Sequence, residues 1–193
     1  VVDTSRRVLL DDLHDSLRRL GTDHVDVWQV HAWGTAPLEE TLAALDYAVA
    51  SGMARYVGLS NFVGWQTATA ATWQEADRAR TPLSSIQVEY SLLARRAEVE
   101  VLPAVRHFEM GFFPWSPMGR GVLTGKYRGG VPRDSRAATD HFAWFVEPYL
   151  EWVLNQAGSD RLRPRYAGRP ASAATATAAR PTRLWKAATS ASR

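Results

Sequence analysis

Four short segments rich in β-branched and aromatic residues recur along the first 116 residues at nearly constant spacing, each behind an amphipathic helical pattern. They are His24–His31, Arg55–Ser60, Ser85–Tyr90 and Gly111–Ser116, and their ends fall near His31, Ser60, Gln87 and Trp115, 29, 27 and 28 residues apart. All are too short for good helices and read as strands. Before the first, Leu9, Leu10, Leu13, Leu17 and Leu20 form one helical face behind Ser5, a capping residue type, and Gly21 fits just past the end. Leu38, Leu42, Leu45 and Val49 mark a second helix that stops at Gly52, and further helices are expected over Trp65–Arg80 and Val99–Glu109. Strands alternating with single helices predict βαβ units and a parallel sheet. A period this regular favours a β/α barrel over a doubly wound sheet. Eight such units take about 250 residues. The expectation is therefore an α/β fold, a partial TIM-type (β/α)8 barrel of about four units, in a chain that is a fragment incomplete at both ends.

Beyond Tyr127 the pattern weakens. A further helix is expected over His141–Leu154, with Phe142, Phe145, Tyr149 and Trp152 apolar and Pro148 as a kink. Residues 155–193 are dominated by Ala, Arg, Thr, Ser and Pro and offer little to bury. The expected division is a barrel domain over 1–154 and a tail over 155–193 that is disordered or translated out of frame, with a basic segment binding an acidic partner as the alternative. Charge follows the same division. The formal net charge is +3, yet residues 152–193 hold eight basic residues against Asp160, so the body is mildly acidic. That gives no case for nucleic-acid binding. No apolar run is long enough for a membrane span, and the absence of cysteine excludes disulfides and suits a cytoplasmic setting.

In a β/α barrel, functional groups sit where strands end. Those positions hold His31, then Ser60-Asn61, then Gln87 with Glu89-Tyr90, then Trp115-Ser116-Pro117. Taken singly, each has an ordinary structural explanation: a core histidine, a turn or helix cap, a satisfied polar group, a packing ring. Taken together they are more specific. Gln29-Val-His31-Ala-Trp33, Val57-Gly-Leu-Ser-Asn-Phe62, Gln87-Val-Glu-Tyr90 and Pro114-Trp-Ser-Pro-Met-Gly119 with Leu123-Thr-Gly-Lys-Tyr127 resemble, in order and spacing, the aldo-keto reductase family, in particular its bacterial branch related to potassium-channel beta subunits.

The resemblance implies NADPH-dependent reduction of aldehyde or ketone carbonyls. It matches His31 to the catalytic histidine, a neutral donor to the substrate carbonyl oxygen. It matches Ser60, Asn61 and Gln87 to the side chains that hold the nicotinamide carboxamide, and Trp115 to the aromatic that stacks on the ring. Ser116, Pro117, Met118 and Gly119 match the loop along the cofactor pyrophosphate. The family's tetrad also needs an Asp, a Tyr and a Lys from earlier strands, so the chain alone is expected to be inactive. The alternatives are a non-catalytic regulatory protein that binds nicotinamide cofactor, and an inactive pseudogene product. The expected partners are a small-molecule carbonyl substrate and a second copy associating through exposed barrel edges, with neither nucleic acid nor membrane.

Overall fold

A computed structural model describes residues 2–139 and 143–156. They fall into two compact units, one of Val1–Glu89 with Arg96–Trp115 and one of Tyr90–Arg95 with the residues from Ser116 onward.

The first unit is a run of alternating helices and strands. In chain order these are α1 (Arg6–Leu20), β1 (Val25–Val30), α2 (Leu38–Ala50), β2 (Ala54–Ser60), α3 (Gly64–Glu75), β3 (Leu83–Glu89), α4 (Val101–His107) and β4 (Gly111–Trp115). The strands form one sheet in the order β1-β2-β3-β4, every neighbouring pair parallel. This is the repeated β/α architecture that the spacing predicts. Val30, Leu59 and Ile86 pair in one row across the sheet and are fully buried. With Leu9, Leu13 and Leu17 of α1 and Leu42 and Leu45 of α2 they belong to the buried core.

Helix α1 ends as expected. Gly21 takes φ 68°, the left-handed region that glycine enters freely, and its N–H and that of Thr22 reach back to Arg18 and Leu17. Its start differs from expectation. Ser5 occupies the capping position but its side chain makes no capping bond. The first helical amide, that of Arg6, instead donates to Glu40 Oε1 of α2 at 3.1 Å. Leu20 also departs from the predicted apolar face and lies 66% exposed, one turn beyond the last buried leucine.

Helix α3 is shorter than the predicted Trp65–Arg80. It stops at Glu75 because Asp77 diverts the backbone: its carboxylate accepts from the Ala79 N–H and its carbonyl from the Arg80 N–H. The predicted Val99–Glu109 helix is shorter, the two-turn α4, and a short 3₁₀ turn at Arg96–Glu98 precedes it. β3 begins two residues before its predicted start, and Ser84 sits at a register irregularity opposite Val57 and Gly58.

The second unit holds a 3₁₀ segment over Gly119–Thr124, a 3₁₀ turn over Arg136–Ala138 and helix α5 (Ala143–Gln156), which carries Pro148 in its interior. Val122, Tyr127 and Val146 form its core, with Leu93, Phe145 and Tyr149 packed against them. Arg120 lays its guanidinium over the Phe145 ring at 3.8 Å and donates to the Phe145 carbonyl. Phe142, the Trp152 side chain and residues 157–193 lie outside the described residues.

Candidate functional site

Parallel strands all end on the same side, so four adjacent strands gather their C-terminal residues along one edge of the sheet. The pairing register puts Ser60 beside Gln87 and Gln87 beside Phe113, with Glu89 beside Trp115. His31 follows directly on β1 and Asn61 directly on β2. His31, Ser60, Asn61, Gln87 and Trp115 thus come together in the first unit.

Asn61 ties them to one another. Its backbone takes φ 55°, a left-handed conformation that asparagine tolerates better than most residues. Its side-chain Nδ2 donates to the His31 carbonyl at 2.9 Å and to Ser60 Oγ at 3.1 Å. Its Oδ1 accepts from Trp115 Nε1 at 2.9 Å. Its backbone N–H donates to the Gln87 carbonyl, also at 2.9 Å. One residue therefore touches the ends of all four strands. Each such bond contributes on the order of 1 kcal/mol net, and together they set the spacing of the groups around it.

Ser60 is 3% exposed, Gln87 and Trp115 are half-buried, and His31 is exposed. Among the described residues no hydrogen bond to the His31 ring or to the Gln87 amide is seen, so both are available to a ligand. Ser116, Pro117, Met118 and Gly119 open the second unit as a tight turn. Ser116 and Gly119 take φ 52° and 54°, and the Gly119 N–H donates to the Ser116 carbonyl at 2.8 Å.

Two features were not anticipated from sequence. Gln29 Nε2 donates to Ser85 Oγ at 3.1 Å across the intervening strand, because Gly58 stands between them in the same row and has no side chain to block the reach. The rings of Trp33, Phe62 and Trp65 form a cluster next to His31 and Asn61, with Trp33 to Phe62 centroids 5.3 Å apart and Trp33 to Trp65 centroids 5.2 Å apart. Trp33 and Phe62 are flagged by the motifs that contain them, but nothing in their spacing announces the contact.

A separate open hollow lies elsewhere in the first unit. It is lined by Asp11, His14, Arg18, Thr22, Asp23 and Met53, at the opposite end of the strands from His31. There His24 links Asp23 to Arg55: its Nδ1 lies 2.6 Å from Asp23 Oδ1 and its Nε2 lies 2.9 Å from Arg55 Nη2. The His24 bond, first among the causes, holds the Asp23 carboxyl below its ordinary 3.8. This end of a β/α fold is where contacts serve stability.

The sequence profile described as the Aldo/keto reductase family matches residues 1–176. The chain belongs to the aldo/keto reductase family. The profile match runs past the expected boundary at 154. Among its relatives, a probable voltage-gated potassium channel subunit beta of Oryza sativa subsp. japonica is 39% identical over 143 residues, 72% of this chain and 43% of the relative. An uncharacterized oxidoreductase of Bacillus subtilis (strain 168) is 43% identical over 116 residues, 59% of this chain and 35% of the relative. An L-glyceraldehyde 3-phosphate reductase of Escherichia coli (strain K12) is 37% identical over 134 residues, 68% and 38% respectively. The chain thus spans 35% to 43% of the length of these relatives. As a family, aldo/keto reductases are TIM-barrel oxidoreductases, and the four parallel β/α units here are part of such a barrel. Among the described residues no helix is long and apolar enough to cross a membrane.

Proposed function

We propose that this chain carries the nicotinamide end of an NADPH-dependent aldo-keto reductase site, acting on aldehyde or ketone carbonyls of small molecules. The observation behind it is the convergence of His31, Ser60, Gln87 and Trp115 on Asn61. The donor set suits the cofactor: an amide and a hydroxyl can hold the two ends of a carboxamide, and an indole face beside them suits a flat ring. In this reading Ser60, Asn61 and Gln87 hold the carboxamide and Trp115 stacks on the ring. The reduced nicotinamide, when bound, supplies hydride to the carbonyl carbon. His31, exposed and available, donates a hydrogen bond to the carbonyl oxygen and so favours the negative charge that develops there.

Within these 193 residues the reading finds one tetrad member, His31, and no match to the Tyr that would protonate the oxygen or to its Lys and Asp partners. A proton donor must lie within hydrogen-bond reach of the reacting atom. The chain alone is therefore expected to bind cofactor without turnover, in keeping with a fragment of a cytoplasmic enzyme. The channel-subunit name of one relative favours a second reading, a regulatory protein that binds nicotinamide cofactor and catalyses nothing.

Calorimetric titration with NADPH and NADH tests the cofactor assignment. Saturable NADPH binding is expected, weakened about tenfold by Gln87→Ala or by Trp115→Ala, a loss of about 1.4 kcal/mol. Absence of binding by either dinucleotide would overturn the cofactor assignment. Aldehyde-dependent NADPH oxidation should stay at background, and turnover that His31→Ala abolishes would show that another group supplies the proton.

A further inference from the structure

We propose that His24 is a proton-operated latch at the entry to β1: the neutral ring grips Arg55 of β2, and the protonated ring releases it. The latch lies at the end of the strands away from His31 and stands whether or not the chain binds cofactor.

His24 and Asp26 are two positions apart, so they lie on one side of the chain entering β1. Arg55 reaches both. Its Nη1 donates to Asp26 Oδ1 at 2.9 Å, and its Nη2 lies 2.9 Å from His24 Nε2. A guanidinium has five N–H donors and no acceptor, and it keeps its charge in proteins. The contact with His24 is therefore a hydrogen bond only while Nε2 carries no proton. The ring proton then sits on Nδ1, which donates to Asp23 Oδ1 at 2.6 Å. Partners on both sides thus select one neutral tautomer, Nδ1–H.

A second proton affects the two bonds unequally. Asp23 accepts from Nδ1–H in either state of the ring, and with an imidazolium the bond is charge-assisted. The His24 bond already holds the Asp23 carboxyl below its ordinary 3.8, so Asp23 is an anion while the ring titrates. Nε2–H, in contrast, sets a donor against a donor and one cation against another. Arg55 retains Asp26 when that contact breaks, so release leaves it paired.

The ring is open to protons, its side chain being 36% exposed. The charged and titratable groups around it are Asp23 beside it, Asp26 on β1, and Arg55 and Tyr56 on β2. Beyond Asp23, α1 presents Asp11, His14, Asp15 and Arg18 to the hollow they share, where Arg18 pairs with Asp15. The backbone is held independently, by Thr22 Oγ1 donating to the His24 carbonyl and by Val25 N–H donating to the Met53 carbonyl. Release is therefore a side-chain event that leaves the strand register in place.

Long-range 1H–15N NMR of the 15N-labelled chain tests the latch. His24→Gln identifies the His24 ring among the five histidines, and Arg55→Met identifies the Arg55 Nε–H signal. Above its own titration midpoint, the wild-type His24 ring should carry its single proton on Nδ1. As the ring takes up the second proton, the Arg55 Nε–H signal should shift with the same midpoint. His24→Gln offers Arg55 an acceptor that does not titrate, so the Arg55 signal should lose that shift. A neutral wild-type ring with its proton on Nε2 would refute the latch. So would an Arg55 signal that ignores the His24 titration, or one that shifts in His24→Gln as it does in the wild-type chain.

Discussion

At the scale of single residues, the row Gln29, Gly58, Ser85 and Gly111 shows what the sheet demands. A Cβ on Gly58 would lie 2.4 Å from the Ser85 carbonyl oxygen and 2.5 Å from its Oγ, so backbone must shift to admit it. Gly58→Ala should destabilise the chain by about 1–3 kcal/mol, the usual cost of overpacking, as a lower urea midpoint with unchanged slope. An unaltered midpoint would show that the row can relax. Asp23 provides a residue-level test of charge. With its folded pKa depressed, its contribution to stability is present above the ordinary 3.8 and is lost as pH falls through the lower folded value. NMR titration should find the Asp23 carboxyl below 3.8 and returning toward it in His24→Ala. A value unmoved by that substitution would assign the shift elsewhere. How much of this was legible beforehand divides by range. Which residues stand at strand ends follows from local pattern, so His31, Ser60, Asn61, Gln87 and Trp115 were found. That Asn61 also reaches the other three strand ends depends on backbone and side-chain groups 26 to 54 positions away meeting in space, and no local pattern carries it.

At the scale of elements, the strands were the most legible part because short runs rich in β-branched and aromatic residues recur at nearly constant spacing. β1, β2 and β4 begin or end within one residue of expectation. Helix ends were less legible, since they depend on side chains competing for backbone groups. Asp77 ends α3 in this way, and the capping of α1 passes from Ser5 to Glu40, 35 positions away. The join between α2, α3 and β3 is another long-range bond set. Gln74, 1% exposed, donates from Nε2 to Asp46 Oδ1 at 2.8 Å and to the Thr81 carbonyl at 2.9 Å, while Thr81 N–H donates to the same Asp46 oxygen at 2.8 Å. Removing that acceptor strands two donors. Asp46→Ala should therefore cost about 2–3 kcal/mol, since hydrogen bonds to charged groups are the stronger ones, and Asp46→Asn should recover a substantial part. Equal losses in the two variants, measured by thermal and urea unfolding, would mean that helix packing and not the shared acceptor holds the join.

At the scale of the molecule, the question is what meets the two sheet edges, for β1 and β4 each pair on one side only among the described residues. An edge strand is a template for another strand. By alternation, Val27 lies on the same face as Gln29, and Phe113 on the same face as its neighbour Gln87, and both apolar side chains are open to solvent at 41% and 46%. Parallel strands restrict which partner can serve. A second copy related by a two-fold axis along the strands would bring its β1 beside β4 in parallel, and its β4 beside β1. Both edges would be met at once, with eight strands in all, the number that closes a β/α barrel. The purified 193-residue chain is therefore expected to be a dimer at micromolar concentration by light scattering. Phe113→Asp should return it to monomer, because a charge on that face resists burial while leaving the already exposed site of one copy little changed. The absence of cysteine makes a second check clean, as single cysteines introduced on β1 and on β4 of different copies are the only thiols present. Disulfides between them should form in mixtures of the two variants and vanish with Phe113→Asp. A wild-type chain that stays monomeric, folded and soluble would show that these edges need no second copy.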